Sequence, residues 1–329
     1  MSTKKPLSNL RLQIAILSIG LVIMAGKFVA YFLTHSNTIL TDALESIVNI
    51  VAGAMGVYSL YLAAKPKDKD HPYGHGKVEF ISASVEGTLI SATGFMMITK
   101  STMNFFEPSE LSNLDIGLYI TTIAGLLNYA LGWRLTSQGK KNNSLTLIAS
   151  GKHLKSDAYT TIGILVGLFI IYLTEYLWLD NAIAVVLGVF IIYTGVKILR
   201  QSVAGIMDEA DNDLLVNIID ILNKSRKPNW IDIHNMRIIK YGSSLHIDCH
   251  VTLPWYLNIH EAHNETEAID KLISSHYPQG VEFFIHIDGC LETSCKVCTK
   301  SDCKLRQHPF EGQWEWNLQN VMQNQKHGL

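Results

Sequence analysis

Four residues in two apolar stretches have the types and spacing to hold one cation. His153 and Asp157 stand four apart within residues 145–173, and Glu45 and Asn49 stand four apart within residues 38–63. On a helix, positions i and i+4 stack on one face about one turn apart, so each pair presents two donor groups toward one point. Facing each other, the pairs would offer three oxygen-bearing side chains and one imidazole, a set suited to a divalent transition metal. Ionisable groups in a lipid-facing run are costly unless partnered and therefore point to a functional site. The same spacing also fits an interhelical hydrogen-bond cluster whose members only satisfy one another. Asp42 extends the stripe and reads as a cap or lining group; Lys27 is a counter-charge or snorkels, with no role in binding.

A second constellation lies near the C-terminus. Cys290, Cys295, Cys298 and Cys303 follow the spacing C-x4-C-x2-C-x4-C, with His308 just beyond. Disulfides do not persist in a reducing cytoplasm, and four thiolates in so short a run satisfy tetrahedral zinc. The tail is therefore expected to carry a structural zinc, with free thiols or an iron–sulfur cluster as the alternatives. Trp314 and Trp316 are placed to pack it onto the preceding domain, and residues after Asn320 are expected to fray.

These residues need elements to position them. The chain of 329 residues is 48% hydrophobic and only 17% charged, and its mean hydropathy is positive. That average hides a boundary, since residues 10–199 are almost continuously apolar whereas charge and histidine density rise from Met207 onward. Six apolar runs cover residues 12–33, 38–63, 80–105, 116–135, 145–173 and 177–198, each near the roughly 20 residues a hydrocarbon core requires. Lys4, Lys5 and Arg11 precede the first run, Lys65, Lys67, Lys69 and Lys77 follow the second, and Arg134, Lys140 and Lys141 follow the fourth; the alternate connections carry no Lys or Arg. By the positive-inside rule both termini are cytoplasmic in a multi-pass protein of the plasma (inner) membrane. The first run is long enough to span and lacks a small-residue cleavage site, so no cleavable signal peptide is expected. A net charge of -2 does not point to nucleic acid.

After residue 207 the periodicity changes. Leu214, Leu215, Ile218, Ile219 and Leu222 recur at helical spacing behind the cap candidates Asp211 and Asn212. Residues 233–240 and 245–253 alternate as two strands around a Gly242-Ser243-Ser244 turn, with Leu245, Ile247, Cys249 and Val251 on one face and His246, Asp248 and His250 on the other. A helix over residues 259–275 and a strand over 281–287 complete the order αββαβ, a small, partly open ferredoxin-like sandwich of the α+β class. The expected organisation is a six-helix transmembrane bundle over residues 1–206, a cytoplasmic αββαβ domain over 207–289 and a cysteine-containing tail over 290–329.

On the pairs Glu45-x3-Asn49 and His153-x3-Asp157, the chain resembles the cation diffusion facilitator family, closest to its bacterial zinc/iron efflux branch. In that family an acid-or-His-x3-Asp pair on the second membrane helix joins a His-or-Asp-x3-Asp pair on the fifth. Asn49 departs from the pattern, which more often has Asp; an amide carbonyl can ligate but brings no charge. The resemblance implies a second metal site in the loop, at Asp68, His71 and His75 within His71-Pro72-Tyr73-Gly74-His75-Gly76-Lys77. It also implies a cytoplasmic site drawn from His234, His250, His263, His286 and Asp288, and a homodimer whose cytoplasmic domains are drawn together by metal. By spacing alone these histidines are equally a solvated loop and a polar sheet face.

The expected function is export of a divalent metal cation by metal/proton antiport through alternating access. Glu45 and Asp157 offset a dication, and His153 ligates only when neutral, so metal binding expels protons. Zinc is the first expected substrate, from the mixed nitrogen and oxygen ligands and from the resemblance, with iron(II), cobalt and manganese as alternatives. The partners are metal cations, protons, a second copy and the lipid bilayer. Two readings from other classes use the same residues: an intramembrane zinc hydrolase, which the chain's lack of a His-Glu-x-x-His arrangement disfavours, and a membrane-anchored metal sensor.

Overall fold

The structure, a computed structural model, describes residues 4–34, 37–104, 114–174, 178–242, 244–277 and 280–326. The chain forms two compact units that divide between Met207 and Asp208.

The first unit is helical: α1 (Lys4–Thr34), α2 (Asn37–Ala63), α3 (Val78–Asn104), α4 (Leu114–Asn142), α5 (Leu145–Thr174) and α6 (Trp178–Ile206). At about 1.5 Å per residue each exceeds the roughly 30 Å of a hydrocarbon core. Each of the six expected runs has its helix. Among the described residues, Ser8–Val29, Ser46–Ala63, Val78–Met103 and Asn181–Ile206 are long and apolar enough to cross a membrane. Helices α4 and α5 are as long and combine their apolar runs with polar residues, Asn128, Arg134 and Gln138 on one and Lys152, His153, Lys155 and Asp157 on the other. Good helix formers such as Gln138, Lys140 and Lys141 let α4 run past its apolar stretch. It stops where Asn143 adopts a left-handed φ of 53° and Ser144 N–H closes back on the Gly139 carbonyl at 3.0 Å, a C-terminal cap that turns the chain directly into α5.

Small residues set how closely these helices approach. A methyl group on Gly94 of α3 would stand 2.7 Å from the Gly188 carbonyl oxygen of α6, and one on Gly195 would stand 2.7 Å from the Gly87 carbonyl oxygen. Between α4 and α5, a methyl on Gly132 would meet the Gly151 carbonyl oxygen at 2.7 Å. In both couples the backbones themselves are in contact, the packing that small residues permit between membrane helices.

The second unit runs α7 (Asn212–Lys224), β1 (Asp232–Tyr241), β2 (Ser244–Leu253), α8 (Ile259–His276) and β3 (Val281–Gly289), followed by a 3-10 turn over Glu292–Lys296 and a short helix α9 (Leu318–Val321). This is the expected αββαβ order. Asp211 caps α7 by accepting from Leu214 N–H at 3.0 Å, and Asn258 and Glu261 form a reciprocal capping box on α8. The sheet order is β1-β2-β3, with β1 antiparallel and β3 parallel to β2. Leu245, Ile247, Cys249 and Val251 point into the core against Leu215, Ile218 and Leu222 of α7 and Ile269 and Ile273 of α8. The parallel β2–β3 pair is reached through α8, the crossover such a pair requires.

The tail folds back onto this unit. Trp316 and Val321 enter the same core, and the Arg226 guanidinium lies 3.8 Å from the centroid of the Trp316 ring. Asn223 donates to the Trp316 carbonyl at 2.7 Å and accepts from its N–H at 3.2 Å. The expectation of fraying after Asn320 is corrected: Val321 is 1% exposed and the Gln323 carbonyl accepts from Asn235 N–H at 2.7 Å, so burial and backbone pairing hold the chain there.

Candidate metal centres

The intramembrane pairs are built on the polar faces of α2 and α5. Asn49 joins both members of the α5 pair: its Oδ1 lies 2.7 Å from His153 Nε2, and its Nδ2 donates to Asp157 Oδ2 at 2.7 Å. His153 is buried. Thr160 and Thr161, one turn further along α5, donate to the Asp157 carbonyl at 2.6 and 3.0 Å. Glu45 lies on α2 one turn before Asn49; its side chain lies outside the described ones. One residue on, Ser46 accepts a hydrogen bond from Lys27 Nζ at 3.0 Å, and Lys27 is buried. It does not snorkel to a surface.

A cavity of about 60 Å³ adjoins these groups and is lined by Gln13, Lys27, Asn49, Glu86, Ser150 and His153 among others. Glu86 of α3 is 1% exposed. Its Oε1 accepts from Ser150 Oγ at 2.6 Å, and Ser150 in turn accepts from Gln13 Nε2 at 3.1 Å. Its Oε2 is buried with no hydrogen-bond partner among the described residues. A second carboxylate of α3, Glu79, accepts from Ser144 Oγ. Sequence reasoning missed both, although Glu79 and Glu86 stand at i and i+7 on an otherwise apolar helix, a signal of the same kind as the α2 and α5 pairs.

In the second unit the strand register lines up three histidines. His234 of β1 faces His250 of β2, and His250 faces His286 of β3; neighbouring ring centroids are 5.1 and 4.5 Å apart. Asp288, two residues past His286 and so on the same face, places Oδ2 3.1 Å from His250 Nδ1 and 3.3 Å from His234 Nε2. His234, His250 and Asp288 each offer a ligand atom within 4.8 Å of the others. His286 stands beside them, 66% exposed, with Nε2 4.0 Å from Asp288 Oδ1. His263 is exposed on α8 and joins no such group among the described residues.

Two groups around this row escaped sequence reasoning. Buried Asp232 holds His234 Nδ1 at 3.1 Å, which orients the ring and leaves Nε2 for a ligand, the usual partnership behind a metal-binding imidazole. The signal was its i, i+2 spacing to His234 on one strand face. Lys326, from the tail, lies 3.3 Å from Asp288 Oδ1 and donates to the Gly289 carbonyl at 3.2 Å; no sequence pattern announces it. Burial pushes the Asp288 carboxyl up, but hydrogen bonds from His250 and Lys326 and the positive charge of Lys326 outweigh it, holding the group below the usual carboxylate value.

The loop between α2 and α3 brings Asp68, His71 and His75 together as a second group within 4.8 Å. Asp68 Oδ1 accepts from His71 N–H at 2.7 Å and lies 3.1 Å from its Nδ1, while Oδ2 lies 3.3 Å from His75 Nε2. The His71 N–H bond, ahead of the small opposing effect of burial, holds the Asp68 carboxyl below its ordinary value. His75 is 7% exposed, whereas His71 and Asp68 are 55% and 51% exposed.

None of the four tail cysteines forms a disulfide. Burial raises the Cys290 thiol above its ordinary value, a Trp255 backbone N–H opposing and the charges of Cys298, Cys295 and Cys303 adding to it. Their sulfurs are not among the groups that stand within 4.8 Å of one another among the described residues.

Residues 13–207 match the family model described as the cation efflux transmembrane domain, and residues 210–290 match that of the cytoplasmic domain of cation efflux proteins. An uncharacterized transporter of Synechocystis sp. is 32% identical over 262 residues, 79% of this chain and 84% of the relative. The cation-efflux pump FieF of Salmonella arizonae is 26% identical over 283 residues, 85% of this chain and 92% of that protein. The FieF of Serratia proteamaculans is 24% identical over 278 residues, 84% and 91% of the two chains.

Proposed function

We propose, from the premise that this chain belongs to the cation efflux family, that it exports a divalent transition metal, zinc first, across a plasma (inner) membrane by metal/proton antiport. Iron(II), cobalt and manganese are the alternatives. The observation that carries this reading is the Asn49 bridge, which joins His153 and Asp157 through two 2.7 Å contacts inside a helical membrane unit.

The bridge suggests how binding and proton release are coupled. With Asn49 Oδ1 as acceptor, His153 Nε2 carries the hydrogen of that contact. To ligate a metal through Nε2 the ring must clear this hydrogen, which leaves as a net proton when the ring starts as imidazolium and moves to Nδ1 when it starts neutral, and Asn49 Oδ1 is then free to turn toward the cation. Asp157 exchanges an amide donor for the metal, and Glu45, one turn along α2, is the fourth member of the set. Protons entering from the far side reverse the exchange, so binding is a competition between a dication and protons at one place. Alternating access then requires only that the two loaded forms differ in affinity for opposite faces.

In this reading the protein works as a homodimer with both termini cytoplasmic. Asp68, His71 and His75 bind metal weakly at the loop. His234, His250 and Asp288, flanked by His286, bind it in the cytoplasmic domain, with His263 contributing only where a rearrangement brings it near.

The test is reconstitution in vesicles with an imposed pH gradient, comparing zinc, iron(II), cobalt and manganese uptake by the wild type and Asp157→Ala. The variant is expected to lose proton-driven uptake of every metal while the cytoplasmic unit still binds zinc. Uptake that persists in Asp157→Ala would remove the transport site from α2 and α5; wild-type vesicles that take up no more metal than protein-free ones would favour a sensor whose membrane part is an anchor.

A further inference from the structure

The tail begins where the family's cytoplasmic domain ends, at residue 290, and the transport reading makes no use of it. Its backbone is nonetheless tightly organised around the cysteines. The Arg306 guanidinium gathers the carbonyls of Cys295, Cys298 and Lys300 at 2.7, 2.9 and 3.0 Å. The Gln307 backbone N–H donates to Cys295 Sγ at 3.4 Å, and the Trp255 backbone N–H donates to Cys290. Tyr256 reaches Cys303 with its hydroxyl, and Cys298 is buried against Ile231 and Val297. Backbone N–H groups aimed at two of the sulfurs, and a loop curled around the Arg306 guanidinium, hold the four cysteines in one neighbourhood.

We propose that Cys290, Cys295, Cys298 and Cys303 bind one soft divalent ion, zinc by preference, in a tetrathiolate site that fixes the C-terminal extension on the cytoplasmic unit. None of the four is tied up in a disulfide, and four thiolates satisfy a tetrahedral ion without help from water. Because the sulfurs do not already stand at mutual ligand distance, binding must draw them inward, each thiol releasing its proton to solvent. The site would set the position of the segment that carries Trp316 into the core and Lys326 onto Asp288. It is distinct from the transport pairs, so its loss and theirs are separable.

The experiment uses the full-length protein purified under reducing conditions, dialysed against a weak chelator and analysed for metal. Titration with a mercurial should release about one zinc per protomer in step with modification of the tail cysteines. Cobalt exchange should give a thiolate-to-cobalt charge-transfer band with intense tetrahedral ligand-field absorption. Cys295→Ser and Cys303→Ser, neither at a fully buried position, should each lose the band and the zinc while Asp157→Ala keeps both. Folding of the variants is followed by circular dichroism; a folded variant that keeps the band, or a wild type without it, overturns the proposal. Iron with acid-labile sulfide in place of zinc would also overturn it.

A separate observation concerns the transport cavity and rests on the transport reading above. The structure assigns Glu86 as a further carboxylate of the cation path. It shares a cavity with Asn49 and His153, its Oε2 is buried without a partner among the described residues, and on giving up its proton in exchange for an arriving cation it supplies a carboxylate oxygen where Asn49 supplies only an amide. Gly56 of α2 leaves room for it, since a methyl there would come within 3.4 Å of Glu86 Oε1 and 2.9 Å of Gln13 Nε2. Glu86→Gln keeps the acceptor for Ser150 and removes only the ability to ionise, so a structural role leaves it unaffected. The assigned role predicts that Glu86→Gln raises the KM for metal uptake about tenfold or more with expression unchanged, and that Asn49→Asp in the same background recovers much of it. A wild-type KM in Glu86→Gln overturns the assignment; uptake that survives Asp157→Ala as well would overturn the transport reading itself.

Discussion

Asn49→Asp isolates the one position at which this chain departs from the paired acids of its family. The amide Nδ2 that now donates to Asp157 Oδ2 at 2.7 Å would become a carboxylate oxygen at the same place. Two like charges at that separation repel by about 6 kcal/mol at an effective dielectric constant of about 20, so a cation or a shared proton must stand between them. A dication relieves that repulsion directly. If only a quarter of it, about 1.5 kcal/mol, returns as binding energy, affinity rises about tenfold. The shared proton must leave first, so affinity should also climb more steeply with pH than in the wild type. Titration calorimetry of purified protein with zinc and manganese, in mildly acidic and mildly alkaline buffer, reads both effects. Unchanged affinity and an unchanged pH slope would place residue 49 outside the coordination sphere and refute the reasoning that joins it to His153 and Asp157.

Other perturbations test the second unit. Lys326→Gln removes the ammonium from Asp288, and because the pair is partly exposed the expected gain in zinc affinity at His234, His250 and Asp288 is about twofold to fivefold at low salt, fading as salt rises; calorimetry at two ionic strengths checks it. Trp316→Ala removes a buried indole and should destabilise the cytoplasmic unit by about 3–5 kcal/mol, measured by urea unfolding. Asp211→Ala should cost about 1 kcal/mol as a lost helix cap. Burial raises the Asp211 carboxyl, but the Lys240 hydrogen bond and the Leu214 N–H outweigh it and leave the group below its ordinary value. Its contribution is therefore complete above the unfolded carboxylate value of about 3.9 and is lost as pH falls through the lower folded value; the stability gap between wild type and Asp211→Ala should close in strong acid.

Local spacing made much of this architecture legible. The α7 stripe and the alternation of β2 follow from periods of 3.6 and 2 residues, the six apolar runs from continuous apolarity and length, and each has its element in the structure. The same arithmetic pairs His153 with Asp157, because both lie on one helix. What spacing cannot express is register between strands. That His234, His250 and His286 fall in one row depends on a hairpin, a bulge and a crossover acting together, and the bulge turns on Asn235 at a φ of 51°. His263 shows the opposite limit, since a histidine on α8 shares no row with the strands. Lys326 reaches Asp288 only because Trp316 and Val321 first anchor the tail, a contact between residues 38 positions apart that no period encodes.

The touching backbones of α3 with α6, and of α4 with α5, limit which parts of the membrane unit can swing. Glycine carbonyls in van der Waals contact leave no slack to slide across, so each couple turns as a single beam. The donor atoms of Asn49 and of His153 belong to different beams, α2 lying outside the α4–α5 couple. If the cation sits between them as proposed, any tilt that opens one mouth of the passage would stretch the Asn49–His153 span itself, and the grip on the cargo would loosen by the same movement that uncovers it.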